Sequence, residues 1–329
     1  MFFEYLKGRT VLVTGGTGSF GQACVEILLE QTEAERIVIF SRDELKQTEM
    51  CSRLFKYIDR LRFFIGDVRD RDRLERAFEG VDYVIHAAAL KQVPILEYNP
   101  FEAIKTNIIG TQNVIEAAID KNVKKVLLIS TDKAANPANL YGATKLCAEK
   151  LTINGNFYAG KKNTRLSAVR YGNVLGSRGS LLHIINKQRE SGEVSITHEE
   201  MTRFWITLKQ GVMFVLDVLE KMRGGEIFVP KIPSMKIKDF MISLAPGCKI
   251  RVIGIRPGEK MHEILVTHEE SRHTKELDDR FVILPENEWL AEYNVYSMDK
   301  DLEENFMFIS NKNDKWLDAE SLCKLLESN

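Results

Sequence analysis

The chain has few of the features that commit a protein to export, membranes or polyanions. Its 329 residues hold only five cysteines (Cys24, Cys51, Cys147, Cys248 and Cys323). They are odd in number and widely spaced, with no C-x-x-C pair and no histidine at zinc-ligand spacing, which excludes a disulfide-stapled scaffold and points to a reducing cytoplasm. No apolar run approaches the length of a membrane span, and Met1–Gly8 lacks the apolar region of a signal peptide, so a soluble, non-exported protein is expected. Neither charge is in excess: 46 Lys and Arg stand against 47 Asp and Glu, a net charge of −1. There is then no global positive field to gather nucleic acid or anionic lipid. None of the six histidines repeats at a metal-ligand spacing, and no metal is expected. What remains, 44% hydrophobic and 28% charged over a length suited to about two domains, is a folded globular protein.

The first half alternates short β-rich apolar runs with stretches of helical periodicity. Arg9–Thr14, Arg36–Phe40, Leu61–Ile65, Val81–His86, Lys124–Ile129 and Ser167–Tyr171 read as parallel strands, most of them apolar on both faces as a sheet covered by helices on each side requires. The expected fold class is α/β, a doubly wound parallel sheet of Rossmann type with a smaller C-terminal substrate-binding domain. After Tyr171 the pattern changes. The stretch from Gly172 to about Thr207 reads as loop-rich, Gly211–Met222 as an apolar helix and Glu226–Pro230 as a strand, the last two rejoining the sheet. Pro230, Pro233, Pro246, Pro257 and Pro285 punctuate the remainder. The expected division is 1–172 with 208–230 for the dinucleotide and 173–207 with 231–329 for the substrate.

Gly15-Gly16-Thr17-Gly18-Ser19-Phe20-Gly21 lies between the first strand and the helical pattern of Cys24–Leu29. Three glycines at this junction permit a tight turn, close approach of backbone to a pyrophosphate, and close helix packing, with the phosphates at a helix N-terminus. The second strand ends Phe40-Ser41-Arg42, with no acid for a ribose 2′-hydroxyl; Arg42 suits a 2′-phosphate, which favours NADP, although Ser41-x-x-Glu44 also reads as a helix capping box. Asp67 in Gly66-Asp67-Val68 is placed to accept from an adenine amine, or to form an Asx turn. The fifth strand runs into Ser130-Thr131-Asp132-Lys133, and Tyr141 with Lys145 stands one helical turn apart downstream. A lysine at that spacing lowers the pKa of a tyrosine and makes phenolate available as a base. Phe204 and Trp205 read as core aromatics, and His86 as packed and hydrogen-bonded.

Together the glycine loop, Gly66-Asp67-Val68, His86-Ala87-Ala88-Ala89, Asn107, Thr131 and Tyr141-x-x-x-Lys145 resemble the extended short-chain dehydrogenase/reductase superfamily. Further blocks run along nearly the whole chain: Ser41-Arg42-Asp43-Glu44-Leu45-Lys46, Thr131 to Pro137, Arg170-Tyr171-Gly172-Asn173-Val174, Gly176 to Ser180, Met201-Thr202-Arg203-Phe204-Trp205 and Arg256-Pro257-Gly258-Glu259-Lys260. In these the sequence resembles the soluble UDP-N-acetylglucosamine 4,6-dehydratases (5-inverting) of pseudaminic acid and capsule biosynthesis. The large membrane-anchored retaining relatives carry Met where Tyr141 stands.

The resemblance implies NADP held by Gly15, Thr17, Gly18, Ser19, Phe20, Gly21, Ser41, Arg42, Asp43, Lys46, Asp67, Val68, Ala87, Ala88, Lys91, Asn107, Tyr141 and Lys145. It implies UDP-N-acetylglucosamine held by Lys91, Asn173, Val174, Arg178, Thr202, Arg203, Arg256 and Glu259, with the two arginines Arg203 and Arg256 on the diphosphate. Tyr141, held by Lys145, takes the C4 hydroxyl proton as hydride leaves, and Thr131 hydrogen-bonds the ketone. Lys133 then acts as base at C5, which requires a neutral amine, and Asp132 as acid at the C6 hydroxyl, which requires a raised pKa. Glucose-type dehydratases, which retain C5, carry Glu where Lys133 stands, so Lys133 is the residue that implies inversion. Relatives assemble as dimers or hexamers. Three alternatives stay open: a UDP-N-acetylhexosamine 4-epimerase, which does not need Asp132 and Lys133; a retaining dehydratase; and a non-catalytic redox-sensing NADP binder, a class that usually loses the Tyr and Lys kept here.

Overall fold

The computed structural model describes residues 3–177, 181–286 and 295–327. Seven strands pair in parallel, and all but the edge strand β3 are short apolar runs largely buried on both faces: β1 (Thr10–Thr14), β2 (Arg36–Ser41), β3 (Leu61–Ile65), β4 (Tyr83–His86), β5 (Lys125–Thr131), β6 (Arg165–Tyr171) and, after β7 (Asn173–Leu175), β8 (Glu193–Ile196) and β9 (Thr202–Thr207), β10 (Ile227–Pro230). They lie in the order 3-2-1-4-5-6-10, the doubly wound arrangement whose ligand crevice opens at the carboxyl ends of β1 and β4. The helices of the first half are α1 (Ser19–Gln31), α2 (Glu44–Arg53), α3 (Arg71–Ala77), α4 (Val93–Tyr98), α5 (Pro100–Ile104), α6 (Gly110–Asp120) and α7 (Leu140–Ala159).

Gly172 to Thr207 is more ordered than its loop-rich composition suggests. It holds β7, α8 (Leu181–Arg189), β8 and β9, short elements of which β7 and β9 pair with each other while β8 and β9 also pair with strands further along the chain. Residues 208–221 form α9 (Leu208–Lys221), begun by a Thr207–Gln210 capping box. β9 pairs with β7 and with β11 (Ser234–Lys236), and β8 pairs with β12 (Lys249–Val252), the pair flanked in sequence by α10 (Ile237–Leu244). Around them lies a second core, including Leu175, Ile196, Met201, Trp205, Phe240 and Met241. β13 (Ile264–Val266) precedes α11 (His268–Ser271) and β14 (Thr274–Glu276). β14, β15 (Arg280–Ile283) and β16 (Lys300–Asp301) extend the large sheet antiparallel beyond β10, while β17 (Phe308–Ile309) pairs with β13 and α12 (Ala319–Glu327) ends the chain's described part.

One buried ion network ties the two regions. Arg170 on β6, fully buried, donates to Glu149 on α7 at 3.0 and 2.6 Å and to Glu270 on α11 at 2.9 and 2.8 Å, and Glu270 also completes the capping box of α11 with Thr267. Two carboxylates opposite one guanidinium satisfy its fork in both directions. Replacing Arg170 by Met leaves both acids without their cation, a change expected to cost about 3–5 kcal/mol. Urea unfolding measures it; a loss below about 1 kcal/mol would show the network to be dispensable.

Candidate functional site

A cleft of about 600 Å3 runs from the glycine loop to the second core. At one end Gly15, Gly18, Ser19, Phe20 and Gly21 line it. Gly15 takes φ +66°, and a Cβ there would lie 2.9 Å from the backbone of Ala88; one on Gly21 would lie 2.5 Å from the Gly15 carbonyl oxygen. The loop is therefore a cradle that only glycine fits, at the N-terminus of α1, whose N-cap Gly18 has no side chain to occupy it. These residues fit a dinucleotide pyrophosphate.

Thr17 and Ser41 lie behind the loop, their hydroxyls 2.9 Å apart. The helix after β2 starts differently from the Ser41–Glu44 alternative: Asp43 is the N-cap of α2, accepting from the Lys46 amide at 3.0 Å, and its other oxygen pairs with the Lys46 ammonium. Arg42 is exposed, 3.5 Å from Asp67. Burial pushes the Asp67 pKa up, but Arg69, with Arg42 beyond it, outweighs that and holds the carboxyl below its ordinary value. Val68 is buried under Gly110, and Ala87 borders the cleft while the Ala88 amide is held by Thr14 at 3.2 Å. Asn107, in a π turn at Lys105–Ile109, spends its amide on Leu90 N, Leu90 O and Thr144 Oγ1 (2.8, 2.9 and 3.0 Å), so it braces the loop after β4 against α7 and does not face the cleft. His86 is buried between Thr14 and Thr111 hydroxyls, held neutral by burial.

In mid-cleft, β5 delivers Thr131 and Lys133, and α7 delivers Tyr141 and Lys145. The α7 N-terminus is fixed by three contacts: Asn139 caps Gly142 N at 2.8 Å, Glu97 accepts from Leu140 N at 2.7 Å, and Gly142 lies so close to the Lys133 carbonyl oxygen that a Cβ would overlap it. Lys145 donates to the Ile129 carbonyl at 2.7 Å, and burial pushes its pKa down to about 8. The expected depression of Tyr141 by Lys145 is not what the geometry gives. Burial pushes the Tyr141 hydroxyl up to about 12, and the opposing pull comes from Lys133 and the Thr131 hydroxyl.

Asp132 is fully buried and accepts through Oδ1 from Thr131 Oγ1 and Lys133 Nζ, both at 2.9 Å; its Oδ2 has no partner. Burial raises the Asp132 pKa, as an acid requires. For Lys133, burial pushes the pKa down, but Asp132 and Glu263 more than offset it, so the shift is upward, in the direction of the ammonium. Glu263, just before β13, has no sequence signal because its partners Lys133 and Arg203 stand far off in the chain. Its Oε1 lies 3.5 Å from Lys133 Nζ and 3.6 Å from Arg203 Nε, and its Oε2 lies 3.7 Å from Lys260 Nζ.

Toward the second core, Lys91, Asn173, Val174, Arg203, Arg256 and Glu259 border the cleft. Lys91 is lowered by burial and then by Lys133, and Asn173 Oδ1 lies 3.5 Å from Lys133 Nζ. Arg203 is buried and already engaged by Thr202 O at 2.7 Å and by Glu259 and Glu263, whereas Arg256 is exposed in a turn closed by Glu259. Thr202 is not at the cleft; its hydroxyl is buried against His262 and Ser310. Arg178 lies outside the described residues. Trp205 is a core aromatic, stacked on Phe240 at 4.2 Å, yet it also borders the cleft. No group of three or more His, Cys, Asp or Glu able to hold a metal occurs among the described residues, and no helix described is long and apolar enough to cross a membrane.

The parallel sheet, the glycine cradle and the Tyr141–Lys145 helix define a dinucleotide-dependent enzyme of the short-chain dehydrogenase/reductase class. Residues 11–285 match the model of the polysaccharide biosynthesis protein family, and the chain belongs to that family. It is 48% identical over 326 residues to the UDP-N-acetylglucosamine 4,6-dehydratase (inverting) of Campylobacter jejuni, covering 97% of each chain. It is 44% identical over 283 residues to the UDP-glucose 4-epimerase of Rickettsia canadensis, covering 84% of this chain and 82% of that one. The X-ray structure of Pen from Bacillus thuringiensis matches it over the whole of both chains with a TM-score of 0.89 at 37% identity.

Because α7 approaches Lys133 through Gly142, Gly142→Ala is expected to cost at least about 3 kcal/mol, the upper end of overpacking penalties, since the obstacle is backbone. Thermal unfolding checks this; an unchanged midpoint would mean that the loop after β5 yields.

Proposed function

We propose that the chain is an NADP-dependent UDP-N-acetylglucosamine 4,6-dehydratase that inverts C5, forming UDP-2-acetamido-2,6-dideoxy-β-L-arabino-hex-4-ulose for bacterial surface-glycan synthesis. The observation that carries this is the Asp132–Lys133 hydrogen bond at 2.9 Å, beside Tyr141 and Thr131 in one cleft. A 4-epimerase requires only hydride removal and return at C4; it has no use for a second acid–base pair at the end of β5. The 48% identity to the inverting dehydratase supports the same reading.

NADP+, when bound, would supply the hydride acceptor for C4, and its reduced form the hydride donor for C6. Tyr141 takes the C4 hydroxyl proton, Lys145 anchors the strand end through Ile129, and Thr131 donates to the forming ketone. The ketone acidifies C5. Passage of one proton along the Lys133–Asp132 hydrogen bond turns the ion pair into a neutral amine and a neutral acid with no net proton gained. Lys133 then removes the C5 proton and Asp132 protonates the departing C6 hydroxyl as water. Arg256, the exposed arginine, takes the diphosphate, with Arg203 behind it; Lys91, Asn173, Val174, Arg178 and Glu259 complete the sugar side.

Residues 1–172 with 208–230 serve the dinucleotide, and 173–207 with 231–329 serve the nucleotide sugar. Exposed Tyr98, Phe101 and Tyr158 on α4, α5 and α7 support a homo-oligomer, and the free cysteines a cytoplasmic location. No nucleic-acid or membrane partner is proposed.

Two measurements test the reading. UDP-N-acetylglucosamine incubated with the protein should lose one water by mass spectrometry, and Lys133→Met should abolish that loss; an unchanged mass with conversion to the galacto epimer would establish the epimerase instead. Arg42→Ala should weaken NADP by roughly tenfold while leaving NAD little changed, the worth of one charge-assisted phosphate contact. Equal weakening of both in a binding titration would remove Arg42 from cofactor choice.

A further inference from the structure

Lys133 is faced by two carboxylates, not one. Asp132 reaches it from the same loop and Glu263 from the segment before β13, while Arg203, Lys260 and Lys91 are the cations near it and Tyr141 the phenolic group beside it. Glu263 is almost wholly buried, its backbone is pinned to Ser310 (Glu263 N to Ser310 Oγ and Ser310 N to Glu263 O, both 2.9 Å), and its Oε2 accepts no hydrogen bond. Such a group is too constrained to turn to water, and its charge is compensated only by the cations it touches.

We propose that Glu263 is a positioning residue which holds on Lys133 the proton removed from C5, so that this proton does not return to the face it left. This rests on the inverting-dehydratase reading above. In the step, the C5–H bond breaks, its electron pair enters the C4–C5 enolate and the proton bonds to Lys133 Nζ. The C6–O bond breaks, and the hydroxyl leaves as water with the proton of Asp132. Once Asp132 has given up its proton, two carboxylates flank one ammonium, and the cation is at its most stable. Expulsion of water leaves a C5=C6 double bond; hydride from the reduced cofactor would add to C6 and push the pair back into the C4–C5 enolate, and C5 is then protonated on the opposite face by Tyr141, a phenolate at the start of the cycle that carries the proton taken from the C4 hydroxyl. Lys133 passes its own proton to solvent through the cleft, and solvent reprotonates Asp132, so the protons balance. Arg203 and Lys260 keep Glu263 ionised throughout, since both oppose the effect of its burial.

The test uses the NADP-loaded protein and UDP-N-acetylglucosamine in D2O, with product taken at early times for NMR. The wild-type product should be inverted and carry deuterium at C5. In Glu263→Gln the side chain keeps its shape but loses its charge. Lys133 should hold the proton less tightly, and product of D-xylo configuration bearing original protium at C5 should rise about tenfold, the factor that one pKa unit carries. A merely structural role would slow turnover without altering this isotope pattern. If Glu263→Gln does not fold, Glu263→Asp carries the same test with a smaller rise, since the carboxylate is withdrawn by one methylene. An isotope pattern and configuration identical to wild type in the folded variant overturns the inference alone; absence of water loss from the wild-type protein overturns the dehydratase reading and the inference together.

Discussion

The approach of α7 to the end of β5 is the contact on which the site depends. At Gly142 the helix backbone lies against the Lys133 carbonyl, and nothing larger than hydrogen fits between them. That closeness places Tyr141 beside Thr131 and lets Lys145 reach back to Ile129. The helix is steered there by partners from distant segments. Asn107 holds Thr144, Glu97 closes the first turn, and Asn139 both caps the helix and donates to the Gly258 carbonyl at 2.9 Å. Loss of Asn107 leaves the buried Thr144 hydroxyl without its donor, where water cannot readily replace it.

Buried charge is managed by the same convergence. Arg170 between Glu149 and Glu270 keeps the far end of the site rigid, and Asp132, Lys133, Glu263, Arg203 and Lys260 form a second, mixed cluster at its centre. At Arg170 and Glu270, and at Asp132, Lys133, Glu263 and Lys260, desolvation pushes the group toward its neutral form and oppositely charged neighbours push back. The direction in which each pKa moves is therefore a property of the cluster, which is why Asp132 rises while Glu263 falls although both are buried acids.

The segment from Arg256 to Glu263 links the two ends of the cleft. Its turn presents Arg256 and Glu259 to the cleft, Lys260 donates to the Ala135 carbonyl at 2.6 Å, and Glu263 reaches Lys133. An anion seated at Arg256 thus presses on the same segment that orients the residues at the end of β5.

The sequence by itself determined the parallel sheet, the glycine cradle, and the pairing of strand-end Thr131 with Tyr141 and Lys145, because each rests on local periodicity or a short motif. It determined less between Gly172 and Thr207, where β7 pairs with β9 some thirty residues on and β8 and β9 pair with β12 and β11 beyond the segment. Only tertiary structure decided that Asn107 and Thr202 lie off the cleft, that Arg203 is already bound by acids while Arg256 is exposed, and that Lys133 stands between two carboxylates. The physical reason is common to all of these. A charge or a hydrogen bond takes its energy from whatever lies within a few ångströms, and Glu263, 130 residues from Lys133, is brought there by packing that no local pattern encodes.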